Sequence, residues 1–476
     1  MSIIAAFMVP HPPLIVREVG RGSEVQVQKT IDSYIKVAEE IAKLKPETII
    51  ISSPHATMYS DYFHISPGSR AKGSFASFGA PQVSFEEEYD TELVSVIEAL
   101  AAENDLPAGT MGQRDKALDH GTMVPLYFIR QRYDDFKIVR IGLSGLPLTE
   151  HYVLGSYIKQ AAELTGRRVV YVASGDLSHK LQDYGPYGFA PEGPKYDERI
   201  MDVCSRGAFD ELFDFDETFC DKAAECGHRS FVMMAGALDG NEPEIEQLSH
   251  EDATGVGYGI CTFHVKQDEE GKPIINEGRR FLDIYLKKER ERLLSEQAKS
   301  DVYVQLARRS LETYIMNGKT ISVAEGLQGI DADGDVNKLT SEKAGAFVSI
   351  HEHGSLRGCI GTILPIQNSL AEEIIENAIS ASTRDPRFDP ITTSELPYLE
   401  INVDVLGKPE PVSSRAELDV KRYGVIVSCG SRKGLLLPDL DGVDTVDERI
   451  EIAMRKGGIK ESDKYRLERF EVVRHR

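Results

Sequence analysis

Short apolar runs alternate with amphipathic segments over the first 265 residues of the chain. The runs SIIAAFMV, PETIIISSP, FKIVRIGLSG and RRVVYVASGD have the length of strands that are buried on both faces. Between them, SEVQVQKTIDSYIKVAEEIAKL, YDTELVSVIEALAAEN and EHYVLGSYIKQAAELTG place apolar residues at helical spacing. This alternation predicts an α/β domain over residues 1–265, with a central sheet flanked by helices.

The pattern changes after GICTFHVK, which predicts a closing strand. The polar, glycine- and proline-containing stretch that follows, and the charged helical pattern after it, predict a linker and a charged helix over residues 266–298. From residue 299 to residue 476, GAFVSIHEHGSLRGCIGTI predicts a hairpin, SLAEEIIENAISAST a helix, and YLEINVDVLG and GVIVSCG strands. We therefore expect a second, smaller domain of the α+β class.

Charge and composition narrow the classes of partner. The chain has 476 residues and a formal net charge of −22, which argues against binding to nucleic acid or to an anionic membrane surface. Six sparse cysteines in no zinc or disulfide spacing favour a reduced, cytoplasmic location. We find neither a signal-peptide pattern nor a run of 18 apolar residues. A small-molecule substrate is the class of partner that is left. The sequence does not decide whether the chain forms oligomers.

Two phrases place a histidine directly after a proline at the end of a predicted strand. His11 lies in MVPHPPLIV, and His55 lies in ETIIISSPHATMY. Proline fixes φ and lacks an N–H group, so the chain leaves the sheet at that point. Because ligands of α/β sheets gather at the carboxyl ends of strands, both imidazoles are candidates for one crevice.

Further candidate polar residues lie in two other short phrases of the first domain. Asp176 and His179 lie three residues apart in SGDLSH, where a carboxylate beside an imidazole would fix its tautomer; Asp176 is also a candidate helix N-cap. Glu225 and Cys226 precede an apolar helical run in AECGHRSFVMMAGAL. Two histidines with one carboxylate suit non-haem Fe(II), whereas a cysteine as the third ligand shifts the preference towards copper or zinc.

The motifs VPHPPL, SSPHA, LDHGTMVPL, SGDLSH and AECGHRSFVMMAGAL resemble those of the LigB-type class III extradiol dioxygenases and their MEMO relatives, over roughly residues 1–265. The resemblance implies metal binding by His11 and His55, and an acid/base role for His179 beside Asp176. It also implies that His120, in LDHGTMVPL, is an active-site histidine.

The same resemblance implies the cofactor and leaves two alternatives open. In the dioxygenases the metal is Fe(II), the third ligand is a glutamate and the reaction is O₂-dependent ring cleavage of a catecholic substrate. MEMO-like proteins carry a cysteine in a CG turn, so Glu225 and Cys226 are both candidates for the third ligand. A MEMO-like protein without dioxygenase activity, which binds metal or supports assembly, is the alternative function.

The second domain carries the phrase LRGCIG, in which Arg357 precedes Gly358, Cys359 and Gly361. A tight hairpin around a buried cysteine is one interpretation, and a reactive thiol favoured by the arginine is the other. With STRDPRFDPI, the phrase resembles the AMMECR family over about residues 300–470. That family brings no established reaction, so these four residues are candidates for a functional surface.

The order of the two domains resembles the A proteins of the AmmeMemoRadiSam systems. That resemblance implies a radical SAM protein as an associated partner. The chain itself lacks the CxxxCxxC spacing of a radical SAM cluster. Any radical SAM chemistry would therefore belong to the partner.

Overall fold

The computed structural model describes residues 2–113, 117–330, 333–352, 355–439, 443 and 445–476. The chain divides into two compact units, Met1–Leu286 and Lys287–Arg476. The division falls inside the segment 266–298 that the sequence predicts to be a linker and a charged helix. The predicted fold classes are confirmed, because the first unit is an α/β domain and the second is a mixture of helices and antiparallel sheet.

A six-stranded sheet with the order β7-β2-β8-β1-β10-β9 forms the centre of the first unit. Strands β7, β2, β8 and β1 are parallel, β10 pairs antiparallel with β1, and β9 pairs antiparallel with β10. Two short pairs, β3 with β6 and β4 with β5, lie outside this sheet. The strands are β1 (Ile3–Val9), β2 (Thr48–Ser53), β3 (Phe63–His64), β4 (Arg70–Phe75), β5 (Ala80–Glu88), β6 (Ala108–Gly109), β7 (Lys137–Gly142), β8 (Val169–Ser174), β9 (Pro243–Glu251) and β10 (Tyr258–Val265).

Helices cover both faces of this sheet and create two separate cores. In β2, Ile50 packs into one core and its neighbours Ile49 and Ile51 into the other, as the alternation of side chains along a strand requires. Each such buried side chain contributes about 1.5–3 kcal/mol. The helices are α1 (Arg17–Gly20), α2 (Gln28–Leu44), α3 (Thr91–Glu103), α4 (His120–Ile129), α5 (Leu148–Thr165), α6 (Glu192–Arg206), α7 (Glu217–Ala223) and α8 (His228–Ala237).

The charged pattern after residue 280 forms two helices, α9 (Phe281–Gln297) and α10 (Val302–Asn317). They are separated at Asp301, whose carboxylate accepts hydrogen bonds from the main-chain N–H groups of Tyr303 and Val304. An aspartate that caps α10 in this way starts a new helix rather than continuing the previous one. The polar stretch before α9 forms a short turn with a bridge between Gln267 and Pro273.

The second unit is built on a seven-stranded antiparallel sheet, in which β12-β11-β13-β17-β15-β16 lie side by side and β14 pairs with β17. Helices α10 and α13 pack on the core that contains Val348 and Ile350 of β11. The predicted hairpin is present as β11 and β12, while residues 353 and 354 at its turn lie outside the described residues. The remaining elements are α11 (Val323–Leu327), α12 (Asp333–Ser341), α13 (Leu370–Thr383), α14 (Val446–Lys456), β11 (Ala346–Glu352), β12 (Ser355–Gly361), β13 (Leu399–Leu406), β14 (Glu410–Pro411), β15 (Tyr423–Cys429), β16 (Arg432–Leu436) and β17 (Arg466–His475).

The length and the hydropathy of a helix determine whether it can cross a membrane. Within the described ranges, every helix is either too short or too polar to traverse a bilayer.

Candidate metal centre

The carboxyl ends of three neighbouring parallel strands bring the two Pro-His histidines together. Strand β8 lies between β1 and β2, so the residues after Val9, Ser53 and Ser174 share one edge of the sheet. The Nε2 atoms of His11 and His55 are 3.0 Å apart. His11 is buried, with 1% of its surface exposed, while His55 is exposed. One histidine thus lies at the floor of a crevice and the other at its opening.

Hydrogen bonds hold the His11 ring in one orientation. The Asp176 carboxylate accepts the main-chain N–H of His11 at 2.8 Å. The ring Nδ1 lies 3.0 Å from Ser174 Oγ, which donates its own hydrogen to the Gly121 carbonyl. Nδ1 therefore carries the proton and Nε2 keeps its lone pair towards His55. Burial, followed by the charges of His55 and His120, holds the pKa of His11 well below 6.5, which favours the neutral form that binds metal.

Cys226 joins the two histidines because two loops cross at very close range. A Cβ atom at Gly175 would lie 2.1 Å from the Cα of Gly227, and one at Gly227 would lie 2.4 Å from the ring of Phe231. Only glycine allows this approach. It places Cys226 Sγ 3.7 Å from His11 Nε2, and the ligand atoms of His11, His55 and Cys226 all lie within 4.8 Å of one another.

Glu225, the other candidate for the third ligand, has a different role in the fold. Its carboxylate accepts a hydrogen bond from the main-chain N–H of His228, at 2.6 Å, at the start of α8. Burial is the largest cause that raises the pKa of Glu225 to about 7. Of the two neighbours, Cys226 is the residue whose ligand atom lies beside His11 and His55.

The distances in this group fit a transition-metal site. A metal bound to imidazole nitrogen at about 2.1 Å and to thiolate sulfur at about 2.3 Å separates two nitrogens by about 3.0–3.4 Å, and nitrogen from sulfur by about 3.1–3.6 Å, at ordinary bond angles. The corresponding separations here are 3.0 Å between the histidines and 3.7 Å between His11 and Cys226. Burial raises the pKa of the Cys226 thiol well above 9, a cost that a bound cation would offset.

His179 lies next to Cys226, with a ring nitrogen within 4.8 Å of the Cys226 sulfur. Its Nδ1 donates to the Ala224 carbonyl at 2.5 Å, which leaves Nε2 unprotonated in the neutral ring. Ala224 adopts a left-handed φ of 53°, so its carbonyl turns towards His179 while the next residues continue to the metal group. Asp176, His179 and Cys226 form a second set whose ligand atoms lie within 4.8 Å of one another. Burial raises the pKa of Asp176.

His120 is the first residue of α4 and faces the same crevice. The centroid of its ring lies 3.9 Å from that of the His55 ring, and the interplanar angle is 33°. Asp119 caps α4 by accepting the Thr122 N–H and also accepts the hydroxyl of Ser53, the last residue of β2. Burial, with the charge of His55, lowers the pKa of His120 to about 4, so its ring is neutral at pH 7.

The structure adds residues that the sequence analysis missed. Ser174 fixes the His11 tautomer, and the buried Asp197 accepts the main-chain N–H of Ser178 and so holds the loop that carries His179. Phe78 and Tyr187 place their rings edge-on to His120 and His179, with centroid distances of 5.4 Å and 5.1 Å. Ser174 stands inside the conspicuous phrase ASGDLSH, whereas Phe78 and Asp197 come from segments whose sequence gives no signal for the site.

The candidate residues of the second unit lie on β12, an edge strand, and their polar groups are occupied. The Cys359 N–H donates to Asp385 at 2.9 Å, and its carbonyl accepts from Arg387 at 3.2 Å. Arg357 pairs with Glu395 and donates to the Asp389 carbonyl. These side chains cap main-chain groups that an edge strand would otherwise offer to another strand.

The two glycines of LRGCIG are required by packing. A Cβ at Gly358 would lie 2.2 Å from the Ala381 carbonyl of α13, and one at Gly361 would lie 2.2 Å from the Phe347 ring. Between them, the half-buried Cys359 receives the hydroxyl of Ser349 at 3.3 Å from its Sγ. The hydrogen bonds and packing of LRGCIG therefore account for its glycines and for the position of its cysteine, and a reactive role for the thiol stays a prediction.

Two family models match separate parts of the chain. Residues 5–261 match LigB, the catalytic LigB subunit of aromatic ring-opening dioxygenase, and residues 304–475 match AMMECR1. The predicted fusion of a LigB/MEMO-like domain with an AMMECR domain is confirmed.

The relatives include one that matches over its whole length and others that match about a third of this chain. Protein CA_C1420 of Clostridium acetobutylicum is 40% identical over 485 residues, which cover 100% of both chains. A protein of Thermotoga maritima is 48% identical over 176 residues, which are 37% of this chain and 97% of that one. Among solved structures, the uncharacterised PH0010 of Pyrococcus horikoshii is 30% identical and covers 37% of this chain and 89% of its own, with a TM-score of 0.33.

Proposed function

This chain belongs to the LigB family and carries a C-terminal AMMECR1 domain, and we propose that its first domain is an Fe(II)-dependent, extradiol dioxygenase-like enzyme. The proposed substrate is a small catecholic molecule, which is cleaved with O₂. The observation that carries the proposal is the convergence of His11, His55 and Cys226 at distances typical of a transition-metal site.

Three protein ligands at a partly open crevice leave room for a substrate. His55 is exposed and Cys226 is half-buried, so the group can be reached from solvent. When bound, Fe(II) supplies Lewis acidity and free coordination positions for a diol and for O₂. Phe78 and Tyr187, which are 37% and 61% exposed, offer apolar edges on two sides of that opening.

We assign proton transfer to His179. The hydrogen bond from its Nδ1 to Ala224 leaves Nε2 as the atom that accepts a proton from a substrate hydroxyl and returns it later. Asp176 lies close enough to stabilise the imidazolium electrostatically. His120, held neutral by its surroundings, supplies a hydrogen-bonding ring next to His55.

The test uses purified full-length protein loaded with Fe(II) without oxygen and then exposed to protocatechuate and other catechols in air. We expect oxygen uptake together with the absorbance of a yellow ring-fission product. The Cys226→Ala variant should lose both signals, whereas Cys359→Ala, a half-buried cysteine of the other domain, should retain them. Iron-loaded protein that consumes no oxygen with any catechol would contradict the dioxygenase proposal.

The thiolate ligand favours a second candidate, a metal-binding protein that has no ring-cleavage activity and works with a radical SAM partner. Cys226 suits softer metals such as copper or zinc better than the carboxylate of a typical extradiol site does. Metal analysis after loading with iron, zinc or copper separates the two functions. Preferential retention of copper or zinc, together with co-purification of a radical SAM protein, would support this second function over the first.

A further inference from the structure

The loop that follows His179 carries three exposed aromatic side chains. In this aromatic loop, residues 180–190, Tyr184, Tyr187 and Phe189 are 73%, 61% and 51% exposed. Side chains with so much apolar surface are usually buried, and a group of them at the mouth of a crevice is typical of a binding surface. The metal group and the proton-transfer residue do not account for this exposure.

Main-chain contacts hold the aromatic loop in place. The Ala190 N–H donates to the Lys180 carbonyl at 3.1 Å and closes the loop, and the Leu181 N–H donates to the Gly255 carbonyl at 3.2 Å. A Cβ atom at Gly255 would lie 2.7 Å from the Cα of Gly185, so the loop rests directly on the segment around Gly255. Because the loop is already ordered, a ligand that binds to it does not have to supply the cost of ordering it.

Ring contacts connect the aromatic loop to the metal group. The Tyr187 ring meets the His179 ring edge-on, with centroids 5.1 Å apart and an interplanar angle of 89°. Phe78, between β4 and β5, meets the His120 ring at a centroid distance of 5.4 Å. Both histidines next to the metal ligands therefore have a partly exposed aromatic ring against them. A ligand at the metal group that carries a second ring has aromatic partners within reach.

The charges of the crevice favour an uncharged substituent on that ligand. Besides burial, which lowers the pKa of His55 and of His120, the charges that act on these two rings are those of other histidines and of the Asp119 and Asp176 carboxylates. The buried Arg140 lies 3.7 Å from Asp119 and is already paired with it. A carboxylate on the ligand would approach groups of like charge, whereas an aryl group would not.

We propose that the aromatic loop is a subsite for an uncharged aryl group, and that the substrate is an aryl-substituted catechol whose second ring packs against Tyr187. The inference rests on the proposed binding of a catechol at the metal group and specifies the class of catechol. Packing of the second ring removes apolar surface from water and adds the attraction between ring edges and ring faces. The aromatic loop then determines which catechols bind, while the metal group and His179 act on the diol.

Calorimetric titration of the full-length, Fe(II)-loaded protein without oxygen measures binding separately from turnover. The probes are catechol, 4-phenylcatechol and protocatechuate. We expect 4-phenylcatechol to bind at least about tenfold more tightly than catechol, and protocatechuate to bind no more tightly than catechol. Equal affinities for 4-phenylcatechol and catechol, or tighter binding of protocatechuate than of 4-phenylcatechol, would overturn the subsite and leave catechol binding intact. Absence of binding by all three probes would contradict the proposed function, and this inference with it.

Variants assign the gain in affinity to the aromatic loop. Tyr187→Ala should bring the affinities for 4-phenylcatechol and catechol to within about threefold of each other, whereas Tyr187→Phe, which keeps the ring, should retain the ratio of the parent. Leu164→Ala, at a 65% exposed position of α5, is the matched control and should also retain that ratio. Both positions are exposed, so thermal unfolding of the variants should match that of the parent. An unchanged ratio in Tyr187→Ala would refute the assignment of the subsite.

Discussion

The crevice of the first unit and the edge strand of the second unit treat their polar groups in opposite ways. In the crevice, Asp176 and His11 are buried and Cys226 is half-buried, and burial shifts the pKa of each towards the neutral form. At the edge strand, Asp385 is also buried, yet its pKa is held well below the usual range, mainly by the Arg387 guanidinium. In the crevice, burial disfavours the charged forms of the ionisable groups. At the edge strand, the Arg387 guanidinium stabilises the charged carboxylate of Asp385.

This difference distinguishes the candidate ligand site in the crevice from a motif whose polar groups are bonded within its own domain. Perturbed pKa values with a shared direction and a common opening are typical of functional sites. A carboxylate that accepts main-chain N–H groups and a guanidinium is typical of a structural tie. Both regions stand out in the sequence, as PHPP with SSPH and as LRGCIG with STRDPRF, and among the described residues the first brings potential metal-ligand atoms together.

The largest effect is expected at the metal group. Changing His11 and His55 to Ala together should reduce bound metal by more than about 100-fold, because one remaining ligand cannot hold the ion. The apo variant should unfold somewhat earlier than the apo parent, because His11→Ala leaves a cavity and removes the hydrogen bond to Ser174 Oγ. Elemental analysis and thermal unfolding give the two values. Full retention of metal would contradict the comparison.

The next effect should appear as stability in the second unit. Asp385→Ala removes the acceptor of the Cys359 and Arg387 main-chain N–H groups and should cost about 2–3 kcal/mol. Urea unfolding, followed by limited proteolysis of the AMMECR1 domain, measures the loss. Metal content should stay at the parent value, because the first unit is untouched. A change below about 0.5 kcal/mol would show that the tie is dispensable.

The pH dependence of the same residue gives a signed test. Since the folded-state pKa of Asp385 is lowered, its contribution is present above the unfolded value of about 3.9 and is lost as the pH falls through the folded value. The stability difference between the parent and Asp385→Asn should therefore be constant from pH 7 to about pH 5 and shrink in more acidic solution. Urea unfolding midpoints measured across that pH range give this difference. A difference that grows on acidification would contradict the prediction.

A smaller effect is expected where the crevice is supported rather than formed. Ser174→Ala removes the acceptor of His11 Nδ1 and should weaken metal binding by about 10-fold to 100-fold without removing a ligand. Competition with a chelator of known affinity measures this change. Ser349→Ala, which removes a hydroxyl next to Cys359 in the other unit, serves as the control and should leave metal affinity unchanged.

The smallest effect should come from Cys359→Ala. Its Sγ receives the Ser349 hydroxyl and lies near the Arg387 guanidinium, and we expect a loss below about 1 kcal/mol and unchanged metal content. Thiol labelling of the native protein complements this measurement, since the LRGCIG cysteine should react no faster than Cys429, which is also half-buried. Selective, rapid labelling of Cys359 would contradict this prediction and would support a reactive thiol in LRGCIG.

Periodicity alone predicted the central strands and three helices of the first unit, some elements of the second unit and the two histidine positions, whereas β16, β17 and α14 were not predicted. Four buried strands, the amphipathic helices between them and the Pro-His strand ends follow from local preferences, because apolar runs of that length and spacing have few other stable arrangements. The antiparallel β9 and the β4–β5 hairpin were not predicted. Their strands expose one face and carry charges, so their pairing depends on partners far away in the chain.

Which of Glu225 and Cys226 lies beside His11 and His55 was decided only by tertiary structure. Glu225 and Cys226 are adjacent, and no local pattern tells which one faces His11. The choice comes from the contact between Gly175 and Gly227, which lie 52 residues apart and whose missing side chains let two loops cross. That crossing directs the thiol to the crevice and leaves the carboxylate to cap α8. Which side chain faces His11 depends on how closely two loops approach each other in space, and the local sequence does not reveal that distance.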